Sequence, residues 1–247
     1  LAPAQPSLLG HFRQTADGQT AKAPAPLGVN VTFLEPDPAV LFVEALYRAV
    51  LDRSPGEGEL AYWVDRLHGG TSPVVVGTSV ATSSEARRRL VVLDYAALDR
   101  SPGAGEVTYW AGRLAAGLTA ESLVVQLLAS PEGIDLWESP AGLAEAAYQV
   151  YLHRAGDAGG LAYWAGRLES QGTPAGVRSV LTAFGRTAAA TRAAIVEAFG
   201  TACSTFPTSE PNETAAFEAA WVQSGRNPLR LAAFAVGAEC PEGPVTD

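Results

Sequence analysis

Apolar residues recur at helical intervals along most of the chain. Val43, Leu46, Tyr47, Val50 and Leu51 follow i, i+3, i+4, i+7, i+8, and Leu60, Trp63, Val64 and Leu67 repeat that stripe on a second short segment. A third stripe appears as Leu123, Val124, Leu127 and Leu128, and again as Leu231, Phe234 and Ala235. The string Leu51-Asp52-Arg53-Ser54-Pro55-Gly56 separates the first two stripes, because proline and glycine do not sit inside a helix. A glycine followed by Ser, Thr or Asn and then Pro or Ala separates the second from the third, supplying a helix stop and the next N-cap. The pattern predicts helix, loop, helix, tight turn, helix.

That unit repeats. Leu51-Asp52-Arg53-Ser54-Pro55-Gly56 returns as Leu98-Asp99-Arg100-Ser101-Pro102-Gly103 and, eroded, as Leu152-His153-Arg154-Ala155-Gly156. In each copy the loop arginine precedes a tryptophan by ten positions: Tyr62-Trp63, Tyr109-Trp110 and Tyr163-Trp164. The caps Ser72, Thr119, Thr173 and Asn227 are spaced 47, 54 and 54 residues apart. The fourth copy is degenerate, with Phe217 at the tyrosine position, Glu218 where tryptophan is expected and no loop arginine. The expected architecture is all-α: tandem three-helix modules at 38–85, 86–132, 133–186 and a degenerate 187–247, stacked in series behind an extended arm, 1–37.

The string Leu46-Tyr47-Arg48, Leu51-Asp52-Arg53-Ser54-Pro55, Leu60-Ala61-Tyr62-Trp63, Arg66-Leu67 and the later Ser130-Pro131-Glu132 resembles the bacterial domain of unknown function 4214. The resemblance covers about residues 38–186 and, weakly, 187–242. It implies a compact helical module of exported or cell-surface proteins, such as surface-layer, adhesin-like and repeats-in-toxin polypeptides, with no established enzymatic activity.

Residues 1–38 hold six prolines and one alternating stretch, Val29, Val31 and Phe33, as a strand would. It either folds back over its own modules or lies on a neighbouring subunit, with Val29, Val31, Phe33 and Leu34 as the candidate subunit contact.

Composition changes the picture in three ways. Seventeen basic against 26 acidic residues leave a net charge of −9, the wrong sign for phosphate backbones or anionic lipid, so nucleic acid is not an expected partner. No stretch of 18 consecutive apolar residues exists, which argues against a membrane span. There is no methionine, even at position 1, and the start Leu-Ala-Pro-Ala-Gln-Pro suits a mature secreted chain, giving an expected extracellular or cell-surface location. In that setting Cys203 and Cys240 are expected to pair, closing a loop worth roughly 4 kcal/mol, the alternative being two buried thiols.

Candidate chemistry is thin. His11, His68 and His153 have no metal-site spacing, and the nucleophile-elbow, phosphate-loop and dinucleotide signatures are absent, so no catalytic residue, cofactor or metal is expected. The loop Asp52–Glu59 carries carboxylates but lacks the oxygen ligands of a calcium loop. Arg53, Arg100 and Arg154 are expected to reach a carboxylate or a tryptophan face within their own module, forming its core with Trp63, Trp110 and Trp164. Arg87-Arg88-Arg89 reads as a solvated helix face pairing with acidic neighbours. Asp94, Asp99, Glu106, Asp135 and Glu138 are the acids an enzyme could draw on, with nothing to single one out. Asn30 and Asn212 head glycosylation sequons.

Three functions follow, in order. The first is a secreted, non-enzymatic structural protein that self-associates as a homo-oligomer or polymer, a surface array or filament, through its arm and module faces. The second is a cell-wall or extracellular glycan-binding module using Tyr62, Tyr109 and Tyr163. The third is an enzyme of unidentified class, which would need a pocket with perturbed carboxylates.

Overall fold

The computed structural model describes residues 37–171, 173–202 and 211–237. Among these residues the chain is helical, with no strand. The elements are α1 Pro38–Leu51, α2 Glu57–His68, α3 Pro73–Ala81, α4 Ser84–Asp94 continuing into a 3-10 turn Tyr95–Leu98, α5 Ala104–Ala115, α6 Ala120–Leu128, α7 Pro131–Trp137, α8 Pro140–Leu152, α9 Ala158–Glu169, α10 Pro174–Gly185, α11 Ala188–Ala202, α12 Pro211–Gln223 and α13 Pro228–Gly237. Residues 1–36 of the arm, with Val29, Val31, Phe33, Leu34 and Asn30, and both Cys203 and Cys240 lie outside the described residues.

Short polar side chains start these helices. Asp37, Ser72, Ser83, Thr119, Ser130, Ser139, Asp157 and Thr173 each accept a backbone N–H from the first turn that follows. The Asp-Arg step ends them: Asp52, Asp99 and His153 sit at φ of 57°, 50° and 50°, the left-handed conformation that asparagine and aspartate tolerate better than branched residues. Gly70 and Gly117, at φ of 88° and 102°, make the turn before the next cap, where a side chain would strain the backbone. The wider spacing of the third copy has a local cause. After α7, Glu138 takes φ 56° and Ser139-Pro140 starts a new helix, whereas α4 runs on into its 3-10 turn.

Grouped by the repeat, the helices fall into α1–α3, α4–α6, α7–α10 and α11–α13. An open series, each group leaning only on its neighbours, does not describe them. The helices that lead to each loop close a circuit: α1 meets α4, the 3-10 turn meets α8, α8 meets α11, and α11 returns to α1. The last helix, α13, packs on α1, α3 and α11, and Gly77 lets it approach so closely that a Cβ there would stand 3.3 Å from the Ala233 carbonyl. The physical reason is an uncovered apolar face at the start of the series. Phe217, Trp221, Leu229 and Leu231 cover it, forming one buried cluster with Val43, Leu46, Val50 and Val80. A second cluster joins Leu98, Leu123, Leu128, Leu143, Tyr148 and Phe184 from the middle of the chain. Each fully buried leucine contributes roughly 1.5–3 kcal/mol.

Candidate functional site

Three features rise above packing, and the first is a clamp repeated in register. Arg53 Nη1 and Nη2 donate to Glu59 at 2.8 and 2.9 Å, and its Nε and Nη2 donate to Glu85 at 2.6 and 2.8 Å. Arg100 does the same with Glu106, at 2.9 and 2.7 Å, and with Glu132, again six and 32 residues on. Each guanidinium also lies over a tyrosine ring, Arg53 over Tyr47 at 5.1 Å and Arg100 over Tyr95 at 5.0 Å; the ring is tyrosine, not the expected tryptophan. Tryptophan enters indirectly: Trp63 Nε1 donates to the Tyr47 hydroxyl at 2.9 Å and Trp110 Nε1 to Tyr95 at 3.0 Å. The acids belong to helix N-termini, and Glu59 and Glu106 also accept the Gly56 and Gly103 N–H at 2.8 and 2.7 Å. Bonds from arginine, then from those backbone groups, hold Glu59 and Glu106 down to about 2, and bonds from arginine lower Glu85 and Glu132 as well. Where a calcium loop would need free carboxylates, Glu59 is already occupied by Arg53.

The third copy abandons this clamp. Six residues after Arg154 stands Gly160, and 32 after it stands Arg186. Arg154 keeps its place over Tyr148, at 5.1 Å, and reaches Asp157 only at 4.0 Å. The Tyr148 hydroxyl fills the space a side chain at position 160 would need, while Trp164 packs on Phe184 at 4.9 Å. Arg186 turns instead to Glu121 on α6, at 2.7 and 2.8 Å.

The second feature is on the surface. Tyr62, Tyr109 and Tyr163 are 49%, 55% and 56% exposed, while Trp63, Trp110 and Trp164 are half-buried against the two cores. Each tyrosine meets its neighbouring indole edge-on, with ring centres 4.8, 5.0 and 5.1 Å apart. An arginine four residues on holds each ring: Arg66 lies 4.4 Å over Tyr62, and Arg113 and Arg167 donate to the Tyr109 and Tyr163 hydroxyls at 2.9 and 3.0 Å.

The third feature is a cavity of about 440 Å³ within the circuit of α1, α4, α8 and α11. Arg89, Asp94, Glu121, Tyr151, Trp221 and Arg226 line it, along with alanines of α11. The basic run therefore does not share one solvated face: Arg89 turns inward, pairing with Asp52 at 3.1 Å, and burial lowers its guanidinium from the ordinary value. Among the described residues, the buried side-chain nitrogens and oxygens without a hydrogen-bond partner are Arg89 Nε, Asp94 Oδ2, Tyr151 Oη, Trp221 Nε1 and Arg226 Nε, and all five belong to residues lining this cavity. Although part of Asp94 reaches solvent, its carboxyl is enclosed, and desolvation pushes it well above the carboxylate range; Tyr151 is raised too, by burial and then by Asp94 and Glu121.

Of the five acids considered from sequence, then, Asp94 lines this cavity and Asp99, Glu106, Asp135 and Glu138 do not, Glu106 being clamped and Asp99 and Glu138 turning the backbone. The sequence offered no motif for Tyr151, Glu121 or Arg226; the available signal was departure from the repeat, since Tyr151, three residues after Tyr148, stands where Val50 follows Tyr47 and Leu98 follows Tyr95. His68 pairs with Asp37 and His153 with Glu197, each at 3.1 Å. No group of histidine, cysteine and acidic residues among the described residues could hold a metal ion.

Residues 39–90, which span α1 to α3 and most of α4, match the family model described as Domain of unknown function (DUF4214). No curated protein matches the chain. No solved structure does either. No helix among the described residues is long and apolar enough to cross a membrane.

Proposed function

We propose that the protein is a secreted, non-enzymatic structural protein that self-associates at the cell surface through its repeated tyrosine-arginine pairs. The observation that carries this reading is the equivalent exposure of Tyr62, Tyr109 and Tyr163, each backed by an indole and held by an arginine. Tyrosine and arginine are the residues that interfaces favour, and rings already fixed in place lose little freedom on contact. Three such pairs on one chain make weak contacts additive. The clamps keep the pairs in place by tying α2 to α4 and α5 to α7 through Arg53 and Arg100.

The test is light scattering of the full chain beside a variant with Tyr62, Tyr109 and Tyr163 all replaced by Ala. Assembly that is lost in the variant supports the reading. A variant that assembles as the parent does, but no longer adheres to insoluble cell-wall glycan, would move these tyrosines to glycan binding.

A further inference from the structure

The internal repeat makes the cavity more than a packing defect. With Tyr47, Tyr95 and Tyr148 as the common register, Asp94 stands where the other copies have Leu46 and Ala147, and Tyr151 where they have Val50 and Leu98. With the caps as register, Glu121 stands where the others have Val74, Ala175 and Leu229. Leu46, Val50, Leu98 and Ala147 are all buried, so packing is served by apolar side chains at the places of Asp94 and Tyr151; of the counterparts of Glu121, Leu229 is buried while Val74 and Ala175 are exposed. Polar groups there cost folding free energy unless something bonds them. Room has also been made: Gly185 lies so close to the Tyr151 ring that a Cβ would stand 2.9 Å from it. These departures come from two different copies, yet they meet in one cavity.

The arginines and Glu121 of that cavity each already have an oppositely charged partner. Arg89 pairs with Asp52 at 3.1 Å, and Glu121 takes Arg186 at 2.7 Å and Arg226 at 3.6 Å. What remains is neutral hydrogen bonding: three N–H donors on Arg89, Arg226 and Trp221, the Tyr151 hydroxyl and one Asp94 oxygen. An added anion would face Asp94 and Glu121, and an added cation would face Arg89 and Arg226, each with a desolvation cost. A hydroxyl donates one hydrogen bond and accepts two, so a polyol can serve donors and acceptors alike without importing charge. Ala120, Val124, Ala190, Ala194 and Ala198 give apolar walls for its carbon skeleton, and the exposed side chains of Gln149 and His153 leave a way in. The volume, about 440 Å³, lies within the range of small-molecule sites.

We propose that this cavity is a binding site for a neutral, hydroxyl-rich small molecule of mono- to disaccharide size, held by Arg89, Asp94, Tyr151, Trp221 and Arg226. The site is separate from the exposed tyrosines, none of which lines it.

Titration calorimetry of the full chain against neutral mono- and disaccharides and linear polyols, beside small carboxylates and amines of matched size, tests this. Saturable binding of a neutral polyol is expected. Tyr151→Phe should weaken it about tenfold, the effect of one lost hydrogen bond, without lowering the melting temperature, because that hydroxyl has no partner in the protein. Ala194→Leu, which fills the cavity, should abolish binding while the protein stays folded, and Tyr163→Phe on the surface should change nothing. Saturation by carboxylates or amines alone, binding indifferent to both cavity variants, or no binding with only water found in the cavity would each overturn the proposal.

Discussion

Arg53 Nε lies 2.6 Å from Glu85 Oε1, joining residues 32 positions apart, and the same guanidinium holds Glu59 at 2.8 Å. One cation thus fastens the N-termini of α2 and α4, where carboxylates also meet the positive ends of the helix dipoles. Fixed in a two-acid fork over the Tyr47 ring, this arginine differs from a mobile surface pair. Arg53→Ala should cost about 1 kcal/mol. Arg53→Lys should recover only part of that, since an ammonium cannot match two carboxylates bidentately. Chemical denaturation of the three proteins measures it, and equal midpoints for all would contradict the clamp.

The third copy predicts a compensating pair. A Cβ at Gly160 would collide with the Tyr148 hydroxyl, so Gly160→Ala should destabilise by about 1–3 kcal/mol through overpacking. Adding Tyr148→Phe removes the colliding atom and should restore most of the loss. A double variant no more stable than Gly160→Ala alone would show that the two positions are not coupled.

Acid should loosen the clamps. Glu59 and Glu106 are held at about 2, below the usual carboxylate range, so their stabilisation is present above about 4.5 and is lost as the pH falls towards 2. Melting temperature should therefore drop across that window, and Glu59→Gln, already lacking the charge, should show a shallower fall. A fall as steep in Glu59→Gln as in the parent would remove Glu59 from the acid response.

Asp94 works in the opposite direction. Its enclosed carboxyl is raised, so folding favours the protonated form, and that contribution is present in acid and lost as the pH rises. Glu121 and Tyr151 face it across the cavity, with Arg89 and Arg226 on the same lining. Asp94→Asn should raise the melting temperature at pH 7, and the gain should shrink towards pH 3.5, where aspartate is largely neutral even when exposed. A variant less stable than the parent at pH 7 would mean that the ionised carboxylate has a partner in the fold.

The helices were legible because their signals are local. Ser72-Pro73 or Thr119-Ala120 states a helix start, Asp52-Arg53-Ser54-Pro55-Gly56 states a stop, and Leu60, Trp63, Val64 and Leu67 state a face. The exchange of α13 onto α1 and α3 was not legible, since any apolar stripe can cover any other and the stripe of Leu231, Phe234 and Ala235 names no partner. The clamp was half legible: the arginine spacing stood out, but Glu85 lies 32 residues away, and only folding brings it within 2.6 Å. Arg89 was legible in part: it pairs with an acidic neighbour, Asp52, but nothing local to three consecutive arginines tells which of them also lines a cavity. The cavity was hidden since Asp94, Glu121 and Tyr151 are far apart in the chain and each looks unremarkable alone.

Self-association through the tyrosine-arginine pairs is tested most directly by sedimentation velocity on the full chain over a wide concentration range, repeated with Tyr62, Tyr109 and Tyr163 replaced by Ala. The expected result is a shift to larger species as the parent is concentrated and a single monomeric boundary for the folded variant. A parent that sediments as a monomer at every concentration would contradict it.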